Sequence, residues 1–350
     1  MGIVALFLGA VGAAFLKVNT LVYAAGPIYI RADGSVEGTT FIQSSDNVTY
    51  VFTADINDSE GIFVERNNII VNGNGHFLNN SLVMDRDGIS LLSVSNVTIK
   101  NLIVYGFVEG IVLVDAANNT ICGNNITNNN DDGVILQSSS GNTVSGNDIT
   151  NNRNEGVYLY GSSDNTIEGN SIAYSGDKGI RMYSGSNNNT ISGNNITHCD
   201  HGIELDTSCS FNAIFENNIA DSNKNGINMA YSSSNNSIIE NNITSNNQSG
   251  IDLYECSNNT ISGNNITANG YAGVELDSSS GNTFYHNNFV GNAQQVYSDG
   301  SPNTWDNGYP SGGNYWSDYN GTDSNCDGIG DSNYTIDTNN TDHYPLMSTF

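Results

Sequence analysis

The sequence predicts an all-β protein, a single-stranded parallel β-helix of about 11 coils closed by a C-terminal cap. Three observations carry that reading. The stretch Asn-Asn-Thr-Ile-Ser-Gly-Asn-Asn-Ile-Thr at 258–267 recurs every 23 or 24 residues, with one Asn column at Asn119, Asn142, Asn165, Asn189, Asn212, Asn236, Asn259 and Asn282. A second Asn column is read from Asn101 through Asn124, Asn147, Asn170, Asn194, Asn217, Asn241 and Asn264 to Asn287, and a Gly column runs from Gly110 to Gly273. The few apolar residues also fall in columns: Ile121 to Phe284, Ile126 to Phe289, and, after each Gly, a pair one residue apart such as Val157 and Leu159.

That in-out-in spacing is the two-residue period of a strand with one buried face. No segment has the i, i+3, i+4 spacing of a helix, and the Leu-x-x-Leu-x-Leu signature of leucine-rich repeats is absent. Short strands joined by Asn, Gly and Ser corners, about three per repeat, make one coil of a β-helix. Asn suits the corners because it tolerates left-handed backbone angles and bonds locally to the main chain. Stacked Asn side chains can also bond to each other along the coil axis.

Taken in order, residues 1–24 read as a secretory signal, apolar to Leu16 and ending in the small-residue site Val22-Tyr-Ala-Ala25. No other segment is long and apolar enough to span a membrane. Residues 25–107 form an irregular N-terminal part, with a first strand and turn expected over 27–34, strands at 48–52 and 61–64, a strand followed by tight turns over 69–77, and the regular period entering at 88–91 and 96–99. Residues 108–296 are the regular repeats. Residues 297–350 hold both tryptophans and read as a cap, with Trp305, Tyr315, Trp316 and Tyr319 over the last coil.

A net charge of −27 with only 9 Lys plus Arg excludes nucleic acid and anionic membranes as natural partners. Five scattered cysteines make no disulfide framework, and Cys199 with Cys209 is the one pair the spacing leaves open. Sequons such as Asn57, Asn125 and Asn247 fit an exported glycoprotein, although many arise from the Asn-Ile-Thr corner itself.

The ends of the chain carry a more specific signal. Gly313-Asn-Tyr-Trp-Ser-Asp-Tyr319, the Asp-rich run 323–331 and Asp342-His-Tyr-Pro-Leu-Met347, with Ile28-Tyr-Ile-Arg-Ala-Asp-Gly34 at the other end, resemble the NosD-like right-handed β-helix family. The resemblance implies a right-handed coil at the cell surface, secreted or in the periplasm. It also implies either copper-site maturation or a carbohydrate role.

Four groups of residues could carry chemistry. The residues between and beyond the buried pair after each Gly are expected to face outward and stack: Tyr158 and Tyr160, Arg181 and Tyr183, Glu204 and Asp206, Asn228, Asp252 and Tyr254, Glu275 and Asp277. Carboxylates interleaved with aromatic rings suit a polysaccharide or surface glycan, whose C–H faces stack and whose hydroxyls donate. Glu204 and Asp206, on one strand about 6–7 Å apart, are the candidate pair for glycoside hydrolysis.

A second stripe, Asp131-Asp132, Asn154-Glu155, Asp177-Lys178, Asp200-His201 and Lys224-Asn225, reads as solvated corners. His198, Cys199 and His201 are copper- or zinc-type ligands. Asp323, Asn325, Asp327, the Ile329 carbonyl and Asp331 have the spacing of a calcium turn, without the position-12 Glu of an EF-hand. Oligomeric state is not legible.

Overall fold

The computed structural model describes residues 26–81 and 85–350; the expected signal segment lies outside them. Within them the chain is a parallel β-helix with no α-helix, and none of it is a helix long and apolar enough to cross a membrane. Each regular coil contributes one strand to each of three sheets, of 13, 12 and 11 strands among the described residues. We call these sheets A, B and C. In one coil Val157–Tyr160 lies in sheet A, Thr166–Glu168 in B and Ser171–Ala173 in C. Twelve of the sheet A strands run parallel, giving about 12 turns where the repeat count predicts 11. The added turn begins at Ile28–Ile30, which pairs directly with Ile62–Val64.

The apolar columns lie inside as the spacing requires. Ile203, Leu205, Ile214 and Ile219 are fully buried in one coil, and Leu205 pairs in register with Met229. Packing against the same residue type above and below leaves no room for adjustment. Ile219→Val should therefore cost about 0.5–1.5 kcal/mol. A shift in urea midpoint no larger than that of a surface control would refute the close-packed column.

The corners divide two tasks that the sequence assigns to Asn alone. A residue with left-handed φ comes first, such as Asn118, Gly123 or Asn128, and the ladder Asn follows it, at Asn119, Asn124 and Asn129. Tyr174, His198, Phe211 and Glu216 also hold positive φ in this role. The ladder Asn is buried and bonds three ways. Asn194 accepts from Asn170 N and Nδ2, while its own Nδ2 donates to Ile167 O and to Asn217 Oδ1. This satisfies corner groups that the sheets leave unpaired.

A third ladder, Asn129 and Asn152, then Asn246, Asn269 and Asn292, escapes sequence reading because Ser175, Cys199 and Ser222 interrupt it. The second column begins one residue later than expected. Leu102, not Asn101, donates its N–H to Asn124, and Asn101 is an exposed corner residue.

The ladders have defined ends. Buried Val97, Leu102 and Phe107 donate backbone N–H groups into the first Asn of each. At the far end the cap takes over. Asn314 accepts from Asn287 and gives its own N–H to Asp342, which also binds Trp316 Nε1. Asn303 continues the first ladder and donates to Asn340, which accepts Trp305 Nε1 as well. Trp305 stacks on Phe284 at 4.2 Å and Trp316 on Phe289 at 4.4 Å, so the tryptophans extend the apolar columns and close them. Tyr319 only packs partly against this core, and Tyr315 pairs as the last strand of sheet C.

All five cysteines are free. Cys209 and Cys256 replace Ser in a buried column with Ser162, Ser186, Ser233 and Ser279, and each thiol donates to a nearby carbonyl. The Cys199 thiol faces the Thr197 carbonyl at 3.4 Å, so no bridge to Cys209 forms.

Candidate functional site

The outward faces of the three sheets differ. Sheets B and C mostly repeat Thr, Ser and Asn from coil to coil, as at Thr143, Thr166, Thr190 and at Asn195, Asn218, Asn242, with isolated exceptions such as Glu168, Phe215 and Ile239 in B and Asp148 in C. On sheet A one outward column reads Tyr158, Arg181, Glu204, Asn228, Asp252, Glu275, Tyr297 in unbroken register. Beside it run Tyr160, Tyr183 and Asp206, and, further on, Tyr254 and Asp277.

The residues before each Gly form the other wall, and here the expected solvated corners are corrected. Asp132, Glu155, His201 and Asn225 are buried. The cause is the Gly column. A Cβ at Gly156 would sit 2.5 Å from Ile172 Cγ2 and 2.6 Å from the Gly179 carbonyl. The backbone therefore presses onto the next coil at this point and lays the preceding side chain along the sheet.

These two walls hold a polar chain that runs over many coils. Glu109 Oε2 accepts from Asp132 N, and Asp132 Oδ1 from Glu155 N, both at 2.8 Å. Glu155 Oε1 accepts from Arg181 Nη1 at 3.1 Å, while its Oε2 is buried with no hydrogen-bond partner. Arg181 Nε lies 3.2 Å from Glu204 Oε1 but off the N–H axis, an ion contact and not a hydrogen bond. Its Nη2 is 3.5 Å from Asp206, and its guanidinium lies over the rings of Tyr158 and Tyr183. Lys178 adds a contact of 3.7 Å to Glu204 and pairs with Asp177. Further on, Asn228 donates to Glu204, Asn225 to Asp252, and Ser249 to Glu275.

Burial sets the proton inventory of this trough. It pushes Glu109 up to about 7, helped by repulsion from Asp131, Asp87 and Glu155. It pushes Asp252 up to about 7, with repulsion from Glu275 and then Asp277, against the bond from Asn225. Asp132 is raised strongly, by burial first and then by Glu155, so its acid proton is retained at neutral pH. Burial also lowers His201 to about 4, leaving a neutral ring whose Nδ1 has no partner. Tyr158 is raised to about 12, again chiefly by burial.

The structure places the candidate hydrolytic pair inside an ion cluster. Glu204 is 7% exposed, and Arg181 occupies the space between it and Asp206. Burial raises the Glu204 carboxyl, while Lys178 and Arg181 pull it back down. The pair belongs to an ion cluster in which Arg181 and Lys178 are shared with Glu155 and Asp177, and Arg181 bridges the two carboxylates. The other stripe residues lie where the period puts them, with Tyr160 and Tyr254 39% and 37% exposed. Sequence reading missed Glu109, Asp132 and Glu155 as trough residues. The signal was available as a column, one place before each Gly.

The soft-ligand group is scattered. His198 is exposed and stacks on Tyr174 at 4.8 Å, Cys199 is an inward corner residue, and His201 lies in the trough. Among the described residues no three His, Cys, Asp or Glu side chains group to hold a metal ion.

In the C-terminal turn, Asp323 accepts from the N–H groups of Asp327 and Gly328, Asp327 from Ile329 N and Asn325 Nδ2, and Asp331 from Ser324 and Thr322. The three carboxylates do not converge as they stand and their oxygens face the turn's own donors, so calcium binding has to rearrange the turn. We propose it as a weak site, with affinity in the ~10⁻⁴–10⁻³ M range. Calcium added to chelated protein should then raise the melting temperature of wild type and not of Asp327→Ala; equal responses eliminate the site. A shallow groove of about 450 Å³ along Gly146, Gly169 and Gly193 has Glu168 and Glu216 on its walls but no aromatic residue, and we place no site there.

Residues 60–219 match the family described as a right handed beta helix region, and residues 182–321 the family described as periplasmic copper-binding protein (NosD). No curated protein matches the sequence. Among solved structures the chain is similar to the mannuronan C-5 epimerase AlgE6 A-module of Azotobacter vinelandii, at 16% identity and a TM-score of 0.57, over 73% of this chain and 87% of that one. It is also similar to the Agl-KA catalytic domain, at 16% identity and a TM-score of 0.51, over 73% of this chain and 61% of that one. Identities this low speak to the fold alone. Among the described residues the copper named in the second family description finds no fitting donor set, since His198, Cys199 and His201 do not converge.

Proposed function

Because the chain belongs to the NosD-like right-handed β-helix family, we propose that it is an extracytoplasmic glycan-binding protein whose sheet A trough receives the sugar chain lengthwise. One observation carries this reading. The outward face of sheet A carries a continuous column of charged, amide and aromatic side chains over successive coils, where sheets B and C show only scattered exceptions to Thr, Ser and Asn, and there half-buried hydrogen-bonding groups are flanked by tyrosines. Polar groups fixed by neighbours and aromatic rings free at the margin are what a pyranose needs: oriented acceptors for hydroxyls, and a flat apolar surface for its C–H face. The name of one structural relative, a mannuronan epimerase, agrees with a glycan role. The word periplasmic in the family description agrees with the location.

Binding without hydrolysis is favoured because Glu204 and Asp206 are tied to Arg181. A glycan array with parallel measurement of reducing-sugar release tests both points. Tyr183→Ala and Tyr254→Ala are each expected to weaken binding about tenfold, with little change in melting temperature. Absence of binding to every glycan removes the proposal. Sugar release by the wild type that Glu204→Gln abolishes, with its melting temperature unchanged, replaces it with a hydrolase.

A further inference from the structure

The trough is electrically uneven along its length. Its centre contains Lys178 and Arg181, and both are consumed by carboxylates of the protein: Asp177, Glu155, Glu204 and Asp206. Lys224, at the margin, is paired with Asp200 at 2.7 Å. Among the described residues no unpaired cation is therefore left on the trough floor to receive an anionic sugar; the exposed Arg153 stands near Asp131, toward the other end.

Two coils beyond Glu204 the balance changes. Asp252 and Glu275 are direct register partners, and Tyr254 pairs with Asp277. None of these three carboxylates is in an ion pair among the described residues; Asp252 has only the Asn225 amide and Glu275 only the Ser249 hydroxyl. Aromatic rings stand on both margins of this acidic floor. Tyr231 and Tyr254 meet edge to face at 5.4 Å on one side, and Tyr271 on the other lies 5.7 Å from Tyr297, the last residue of the central column. All four rings are exposed.

From this charge complementarity, and resting on the glycan reading of the trough, we propose that the Asp252–Glu275–Asp277 end binds a glycan bearing free amines, an amino-sugar polymer, in preference to neutral or uronate chains. Each ammonium supplies the missing countercharge to a carboxylate, and the tyrosines hold the ring faces and attract the cation. A pyranose ring is about as long as the ~4.8 Å strand spacing, so amines on successive sugars meet carboxylates on successive coils. The proton that burial and Glu275 keep on Asp252 near neutrality is in accord, since an ammonium there allows that acid to ionise. A polyuronate meets the opposite situation, carboxylates facing carboxylates.

The test is calorimetric titration of the full chain at physiological ionic strength, where diffuse attraction to a polyanion is screened. The probes are a glucosamine oligomer, its fully N-acetylated counterpart and a polyuronate oligomer of the same length. The glucosamine oligomer is expected to bind best. The double variant Asp252→Asn/Glu275→Gln should lose about tenfold in affinity for it. Asp148→Asn/Glu168→Gln, which removes two exposed acids on sheets B and C, should change it less than about twofold.

Equal loss in both double variants would mean diffuse charge attraction and would overturn the proposal. So would a preference for the acetylated or uronate oligomer. If that preferred oligomer's binding falls in Tyr254→Ala, the glycan trough stands and only the amine specificity fails. If no oligomer and no arrayed glycan binds, both readings fail.

Discussion

Asn217→Ala is expected to destabilise the protein by about 3–6 kcal/mol, more than any single core truncation by one methyl group. The wild-type side chain accepts from the backbone and amide nitrogens of Asn194 and donates to the carbonyls of Ile191 and Phe215 and to Asn241 Oδ1. Alanine leaves several of these groups buried without a partner, at about 1–3 kcal/mol each. Asn217→Asp should be at least as harmful, because a carboxylate cannot donate to the acceptors facing it. Exposed Asn223 serves as the control, with an expected change within about 0.5 kcal/mol. Urea unfolding decides the matter: matching midpoints for Asn217→Ala and Asn223→Ala would show that the ladder is decorative.

Stability should fall as pH rises from 6 to 8. Glu109 and Asp252, each raised to about 7 in the fold, and Asp132, raised further, hold protons that the unfolded chain has already released. Their contribution is complete below the ordinary carboxyl range and is lost as pH passes through the raised values. His201 works in the opposite sense. Its depressed value of about 4 makes stability rise until its ordinary value near 6.5 is passed, so the acids dominate only above that point.

Over pH 6–8 Glu109 and Asp252 each lose about 1.4 kcal/mol, at ~1.4 kcal/mol per unit. With roughly half discounted because neither is fully buried, the two together lose about 1–2 kcal/mol, with Asp132 adding in the same direction. Self-repulsion from a net charge of −27 has the same sign, so the discriminating variant is Glu109→Gln/Asp252→Asn, which should flatten the slope. A melting temperature that holds steady or climbs between pH 6 and 8 would count against the buried acids.

The core was legible because its rule is local. Ile126 and Ile149 occupy the same place in consecutive units, and a two-residue alternation places Val157 and Leu159 on one face without knowledge of any partner. The trough was half legible, for a reason that is not local. Glu155 precedes a glycine in an Asn-rich turn, and on composition it belongs in water. Only the contact between Gly156 and the next coil turns it inward, and only Arg181 one coil on makes its burial tolerable. The ion contacts of Glu204 and Asp206 were hidden for the same reason, since the cation that bridges them comes from the preceding coil. Asp342 was recognisable as part of a signature but not as a hydrogen-bond acceptor for Asn314 and Trp316, which lie far from it in sequence.

The ladders have interchangeable middles and unique ends. The junction between Asn236 and Asn259 is chemically the same as that between Asn142 and Asn165, while Val97, Leu102 and Phe107 start the columns and Asn340 and Asp342 stop them. Length is therefore quantised. Duplicating or excising one whole unit of 23 or 24 residues recreates a joint that already exists, and moves the two ends by a single step of ~4.8 Å. A partial unit has no such joint to fall back on. The rod can behave as a ruler whose graduations are coils, resized by recombination between its own repeats, with both end pieces carried along unchanged.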